Sequence, residues 1–191
     1  MNTEEYEIRL IIYETRDVPL VDGDKVDIYL KATYMTDEWD ESNVCKQTDV
    51  HNNSKDGRGE FNYRMLFRAK MPAEFPRIKL QMYDYGLTGD EAIGECTLNI
   101  KNTFLLYQKT GALEEKKVWV SFTNSNNKDA QAQAGYCLIS VMVLPVHDAE
   151  LNPVGEAQEE PNENPHLIKP TEGRSISDSL QAVLPFSLPN V

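Results

Sequence analysis

Eight short runs of strand-forming residues, separated by stretches that leave no room for crossover helices, decide what this chain can fold into. They are Tyr6 to Tyr13, Asp27 to Tyr34, Val44 to Val50, Phe61 to Phe67, Arg77 to Asp84, Ala92 to Ile100, Val118 to Phe122 and Tyr136 to Leu144. Parallel strands need a long crossover, usually a helix, whereas antiparallel strands close through turns. The sequence predicts only one short helix, near Asn102 to Lys109. In the fifth run Ile78, Leu80 and Met82 share one phase, so one face of that strand points inward. The expected fold is all-β, an eight-stranded antiparallel β-sandwich over residues 1–144.

The character of the chain changes at Pro145. From there to Val191 it carries seven prolines and eight acidic residues against two basic ones, a net of −6. Proline removes backbone donors, and low hydrophobicity removes the drive to bury. Residues 145–191 are therefore expected as an extended or disordered acidic tail outside the sandwich core. It is expected to order by lying on a partner or back on the domain, and truncation after Leu144 is expected to leave the sandwich folded. The apolar end, Leu180 to Val191, reads either as a docking segment or as a frayed terminus.

Charge removes several functions. The whole chain carries a net −12, so its field repels nucleic acid and loose adsorption on an anionic membrane alike. Any membrane contact must be local. Three cysteines at wide spacing make neither a disulfide framework nor a zinc pattern, and Cys96 and Cys137 read as buried thiols. No run approaches the ~20 apolar residues of a membrane helix. Met1 to Glu5 is acidic where a secretion signal would be basic and then apolar. The expected location is cytoplasmic, peripheral on membranes where it binds them. No nucleophile elbow, phosphate-cradling glycine loop or paired histidines occur, and His51, His147 and His166 are scattered, so no catalytic role is expected.

One constellation points to chemistry. Asp22, Asp24 and Asp27 lie between the first two runs, and Asp84, Asp90 and Glu91 between the fifth and sixth. Such loops can meet at one end of a sandwich, where carboxylates repel unless a cation lies between them. Ca²⁺ takes six to eight oxygens in irregular geometry. Aspartate also favours turns for its own reasons, so solvated turn residues remain the other reading.

The same loops resemble a known family. Asp22-Gly23-Asp24-Lys25-Val26-Asp27-Ile28-Tyr29-Leu30-Lys31 resembles the first calcium loop and following strand of a C2 domain. Leu80-Gln81-Met82-Tyr83-Asp84 and Ile93-Gly94-Glu95 resemble the strands flanking its third calcium loop. Lys46-Gln47-Thr48-Asp49-Val50-His51 and Gly59-Glu60-Phe61-Asn62-Tyr63-Arg64 resemble the last, membrane-proximal C2 domain of ferlins. Glu159 to Leu167 resembles the linker that follows it. In ferlins that linker leads to a transmembrane anchor. This sequence ends at Val191 without one, so the expectation is a ferlin fragment or a free-standing relative.

The resemblance implies a site residue by residue. Asp22 and Asp27 match two ligands of the first loop, and Asp84 matches the first ligand of the other. The next ligand there should be aspartate, but Gly86 occupies it. Glu91 aligns with the last, and Asp90 substitutes if the loop shifts. A missing central carboxylate speaks against two ions and leaves one weak Ca²⁺. The resemblance also implies apolar membrane tips at Val21, Val26, Tyr85 and Leu87. A basic patch on the sheet face is implied at Lys46, Arg64, Arg68 and Lys70. Two functions follow: a module binding anionic phospholipid in membrane trafficking, or a calcium-independent protein-interaction module in a larger assembly.

Overall fold

The computed structural model describes residues 2–21, 23–35, 44–111, 115–124 and 132–170. Nine strands appear among them: β1 (Glu4–Arg16), β2 (Val26–Met35), β3 (Cys45–Gln47), β4 (His51–Ser54), β5 (Gly59–Met71), β6 (Arg77–Asp84), β7 (Glu91–Asn99), β8 (Val118–Thr123) and β9 (Gln133–Pro145). The helices are α1 (Lys101–Thr110) and α2 (Val146–Leu151). All pairings are antiparallel, in the order β3-β2-β6-β7-β8-β9-β1-β5, with β4 also on β2. The β7–β8 step is a single pair, Glu95 with Thr123. It marks the seam where the ladder folds over and becomes a sandwich.

The expected third strand, Val44 to Val50, is shortened to β3, and a further strand not expected from the sequence, β4, follows it. Thr48 is the cause: its hydroxyl accepts the Leu30 N–H at 3.0 Å, and its own N–H donates to the Leu30 carbonyl at 2.9 Å. Side chain and backbone together hold the chain beside β2 where the ladder breaks.

Alternation builds the core. In β6, Ile78, Leu80 and Met82 face inward as the phase predicts, and the fourth position in that phase is Asp84, itself buried. Gly94 lies where β7 meets the other sheet, and a Cβ there would meet Ala134 Cβ at 2.5 Å and Thr123 O at 3.0 Å. Close approach of the sheets therefore requires glycine.

β1 departs from simple alternation, being buried on both faces from Tyr6 to Ile12. Ile8, Leu10 and Ile12 join the main core, while Ile11 and Tyr13 pack with Leu167 in a second cluster. Residues 145–170 provide this second cover. After α2 they run along the outer face of β1 and β5 as a strap. Ala157 forms a two-way backbone bridge with Arg64, its N–H donating at 2.7 Å and its carbonyl accepting at 3.3 Å. The Gln158 amide donates to the carbonyls of Phe61 and Asn62, at 3.0 and 2.7 Å. Asn162 clasps Leu167 through two hydrogen bonds of 2.7 and 2.9 Å. The strap thus seals an edge strand that would otherwise present unpaired backbone groups. The Leu180 to Val191 end lies outside the described residues.

Candidate functional site

The β1–β2 and β6–β7 loops meet at one end of the sandwich. The carbonyl of Asp27 accepts the Tyr85 N–H at 2.8 Å, and an Asp84 carboxylate oxygen accepts the Asp27 N–H at 2.7 Å. The Asp27 carboxylate in turn accepts the Asn53 N–H at 2.5 Å. Asp27 and Asp84 therefore come together, as the sequence suggests, but each carboxylate already ties one loop to another. Asp22 lies outside the described residues.

Asp90 is turned back into its own loop. Its two oxygens accept the Tyr29 hydroxyl at 2.5 Å and the Gly86 N–H at 3.1 Å. The Tyr29 hydroxyl, then the Gly86 N–H, holds the Asp90 carboxyl below its ordinary pKa. Burial first, and the hydrogen bond to Asp90 next, pushes the Tyr29 phenol well above its usual range. Glu91 and Asp24 are exposed. Gly86 and Gly89 close a turn through a 3.3 Å bond from the Gly89 N–H to the Gly86 carbonyl. A Cβ on residue 86 would meet that Gly89 carbonyl oxygen at 2.3 Å. The departure from the family pattern thus has a steric reason, since this loop is wound too tightly for a side chain there. Among the described residues no group of three or more His, Cys, Asp or Glu is arranged to hold a metal ion. The donors that are described do not fit Ca²⁺ as they stand.

Leu87 and Thr88 are the central residues of that turn. Leu87 is 99% exposed and Tyr85 is 46% exposed. The other two expected tips differ. Val21 is half-buried against the core, and Val26 is a core residue at 1% exposure because it begins β2 in the inward phase. Val26 is therefore corrected from tip to core.

The expected basic patch is also rearranged. Arg64 is fully buried beneath the strap rather than facing solvent. Its guanidinium donates to the carbonyls of Gly155, Glu163 and Pro165 at 3.3, 3.4 and 2.6 Å. Burial first, and Arg9 beside it next, lowers its pKa from the ordinary arginine value. Arg9 is 2% exposed and reaches the carbonyls of Ala149 and Asn152 and the Glu7 carboxylate. Arg68 pairs with Glu7 at 3.2 Å, and Lys46 pairs with Glu156 of the strap. Lys70 is exposed on β5 opposite Glu5. Sequence reasoning missed Arg9, Tyr29 and Glu156. The signal for Tyr29 was its place in the Asp-x-Tyr-x-Lys strand start.

The class follows from fold and loops together: this chain belongs to the C2 domain family, whose profile matches residues 6–118. Its similarity to ferlins extends through the strap. It is 36% identical over 189 residues to Ferlin 2 of Tetrahymena thermophila, covering 96% of this chain and 11% of that protein. It is 32% identical over 177 residues to Ferlin 1 of Toxoplasma gondii, covering 92% of this chain and 12% of that protein. The chain thus spans about a tenth of the length of these relatives. Among solved structures, a C2 domain of plant Extended Synaptotagmin 1 superposes with a TM-score of 0.56 at 17% identity, over 73% of this chain and 94% of that one. No helix among the described residues is long and apolar enough to cross a membrane.

Proposed function

We propose that the chain is a non-catalytic membrane-docking module of ferlin type that meets anionic phospholipid with the tip of the loop between β6 and β7. The observation that carries this is Leu87, 99% exposed in a turn closed by its own backbone. Burying a leucine side chain is worth about 1.5–3 kcal/mol. Tyr85 beside it suits the interface, where an apolar ring and a polar hydroxyl are both satisfied. With a net charge of −12 the molecule as a whole is repelled by an anionic bilayer, so an apolar tip is a fitting means of contact. Membrane trafficking at the cytoplasmic face is the setting that ferlin kinship suggests.

The Asp27, Asp84 and Asp90 carboxylates are already engaged by the protein itself, so the docking step proposed here runs without the ion. Co-sedimentation with phosphatidylserine vesicles, with and without Ca²⁺, tests this. Pelleting without Ca²⁺ that Leu87→Asp reduces by about tenfold or more supports the reading. Pelleting that needs Ca²⁺ and ignores Leu87→Asp overturns it. Failure of the folded protein to pellet under any condition selects a calcium-independent protein-interaction module. The observation favouring that second reading is the engagement of the Asp27, Asp84 and Asp90 carboxylates by the protein itself.

A further inference from the structure

The strap and the face beneath it carry opposite charge. Residues 145–170 hold six carboxylates and one lysine. Beneath and beside them lie Arg9, Arg64, Arg68 and Lys46. Glu156 joins the two layers, pairing with Lys46 and accepting the Leu66 N–H at 3.3 Å.

Arg64 is the unusual member. Cations this deeply buried are normally paired with an anion. The Arg64 donors end instead on three neutral carbonyls, all from the strap, and its Nε has no hydrogen-bond partner. Of the carboxylates near this face, Glu7 is taken by Arg9 and Arg68, and Glu115, whose charge favours the Arg64 cation without a hydrogen bond to it, accepts the Tyr13 hydroxyl. A guanidinium with buried, under-compensated donors is the chemistry of an anion receptor, and phosphate oxygens match its fork better than carbonyls do.

We propose that the strap is a displaceable electrostatic cover, and that the face beneath it is a second surface for an anionic bilayer. With the strap down, this side of the molecule presents carboxylates and repels lipid. With the strap lifted, Arg9 on β1 and Arg64 and Arg68 on β5 face outward, with Ile11 and Leu66 on the same side of the sheet and Lys46 at the neighbouring edge, on β3 of the other sheet. Such a two-dimensional array matches a plane of headgroups better than it matches a single extended acidic peptide. Headgroups favour the open state because they gain contacts only there, which is what shifts such an equilibrium. This surface is separate from the Leu87 tip, and its test does not depend on that tip.

The test uses the full chain and vesicles of phosphatidylserine in phosphatidylcholine. Asn162→Ala combined with Leu167→Asp removes the clasp and the apolar anchor, and it adds a negative charge. Placed in a Leu87→Asp background, this release should raise vesicle binding by about tenfold or more, and added salt should abolish the gain. A released variant that is folded by circular dichroism but pellets no better than its parent overturns the proposal. So does one that gains affinity for an acidic peptide and none for vesicles. Hydrogen exchange on the unaltered chain decides independently of whether the variant folds. The Ala157 and Arg64 amides, which bond strap and β5 to each other, should lose protection when anionic vesicles are added, and unchanged protection in vesicle-bound chain overturns the proposal.

Discussion

At the scale of single residues, the candidate site is governed by Gly86. A tight turn closed between Gly86 and Gly89 leaves no room for a Cβ, while Asp90 folds back over the turn to Tyr29. One glycine accounts both for the loss of a family carboxylate and for the outward display of Leu87. Restoring the carboxylate should therefore fail to restore a calcium site. Gly86→Asp is expected to destabilise the fold by roughly 1–3 kcal/mol, the usual scale for overpacking, and to bind Ca²⁺ no better than the parent. Urea denaturation and calorimetric titration check the two halves. A variant as stable as the parent that gains Ca²⁺ affinity would show that the loop rewinds freely and that sterics do not explain the glycine. Much at this scale was legible beforehand. Asp84 continues the Ile78, Leu80, Met82 phase, so its burial follows from the period of the strand. The pairing of Asp90 with Tyr29 was not legible, because it depends on how far a six-residue loop folds back.

Among the elements, the strap changes what β1 means. Alternation explains Ile8, Leu10 and Ile12, but Ile11 and Tyr13 stand on the opposite face and would be stranded in water on an ordinary sandwich. Those two apolar residues, together with Leu138, were a readable sign that something covers the outer sheet. The cover itself was harder to see. Its contacts are largely main-chain carbonyls given to Arg9 and Arg64 and leave little trace in side-chain patterning. The sequence reading placed Arg64 on a basic surface because charge usually means exposure, and here tertiary packing overrides that rule. Truncation after Leu144, which the sequence alone suggested would weaken partner binding but cost little melting temperature, is now expected to cost about 3 kcal/mol or more through lost burial around Leu167, Ile11 and Tyr13. Arg64→Ala in the full chain should cost about 2–4 kcal/mol, because three strap carbonyls lose their donor and a void is left. In the truncated chain the same substitution should cost far less, since Arg64 then faces water. Denaturant midpoints for the four proteins give the coupling energy. Additive losses would mean that Arg64 does not hold the strap.

The whole molecule is an acidic body, and its net charge of −12 bears on its stability as well as its contacts. Like charges repel more strongly in the compact state than in the extended one, so self-repulsion opposes folding. Lys79 with Glu95 and Arg58 with Glu14 offset little of this, being partly or largely exposed. Added salt shortens the range of the repulsion, to about 10 Å at 0.1 M. Sodium chloride is therefore expected to raise the melting temperature while weakening any anionic-vesicle binding that depends on cations. The same reasoning separates general screening from a specific calcium site. Any divalent cation screens an acidic surface, so Mg²⁺ and Ca²⁺ at equal concentration should raise the melting temperature by equal amounts when no selective site exists. A ligand bound only by the folded state adds a further increment that grows with its concentration. With Asp84 and Asp27 engaged by backbone N–H groups and Asp90 held by Tyr29, the expected outcome is that the Ca²⁺ and Mg²⁺ curves superimpose through the millimolar range. An excess shift with Ca²⁺ alone, lost in Asp84→Asn, would show that the loops rearrange around the ion and that the bonds described here are those of a resting state.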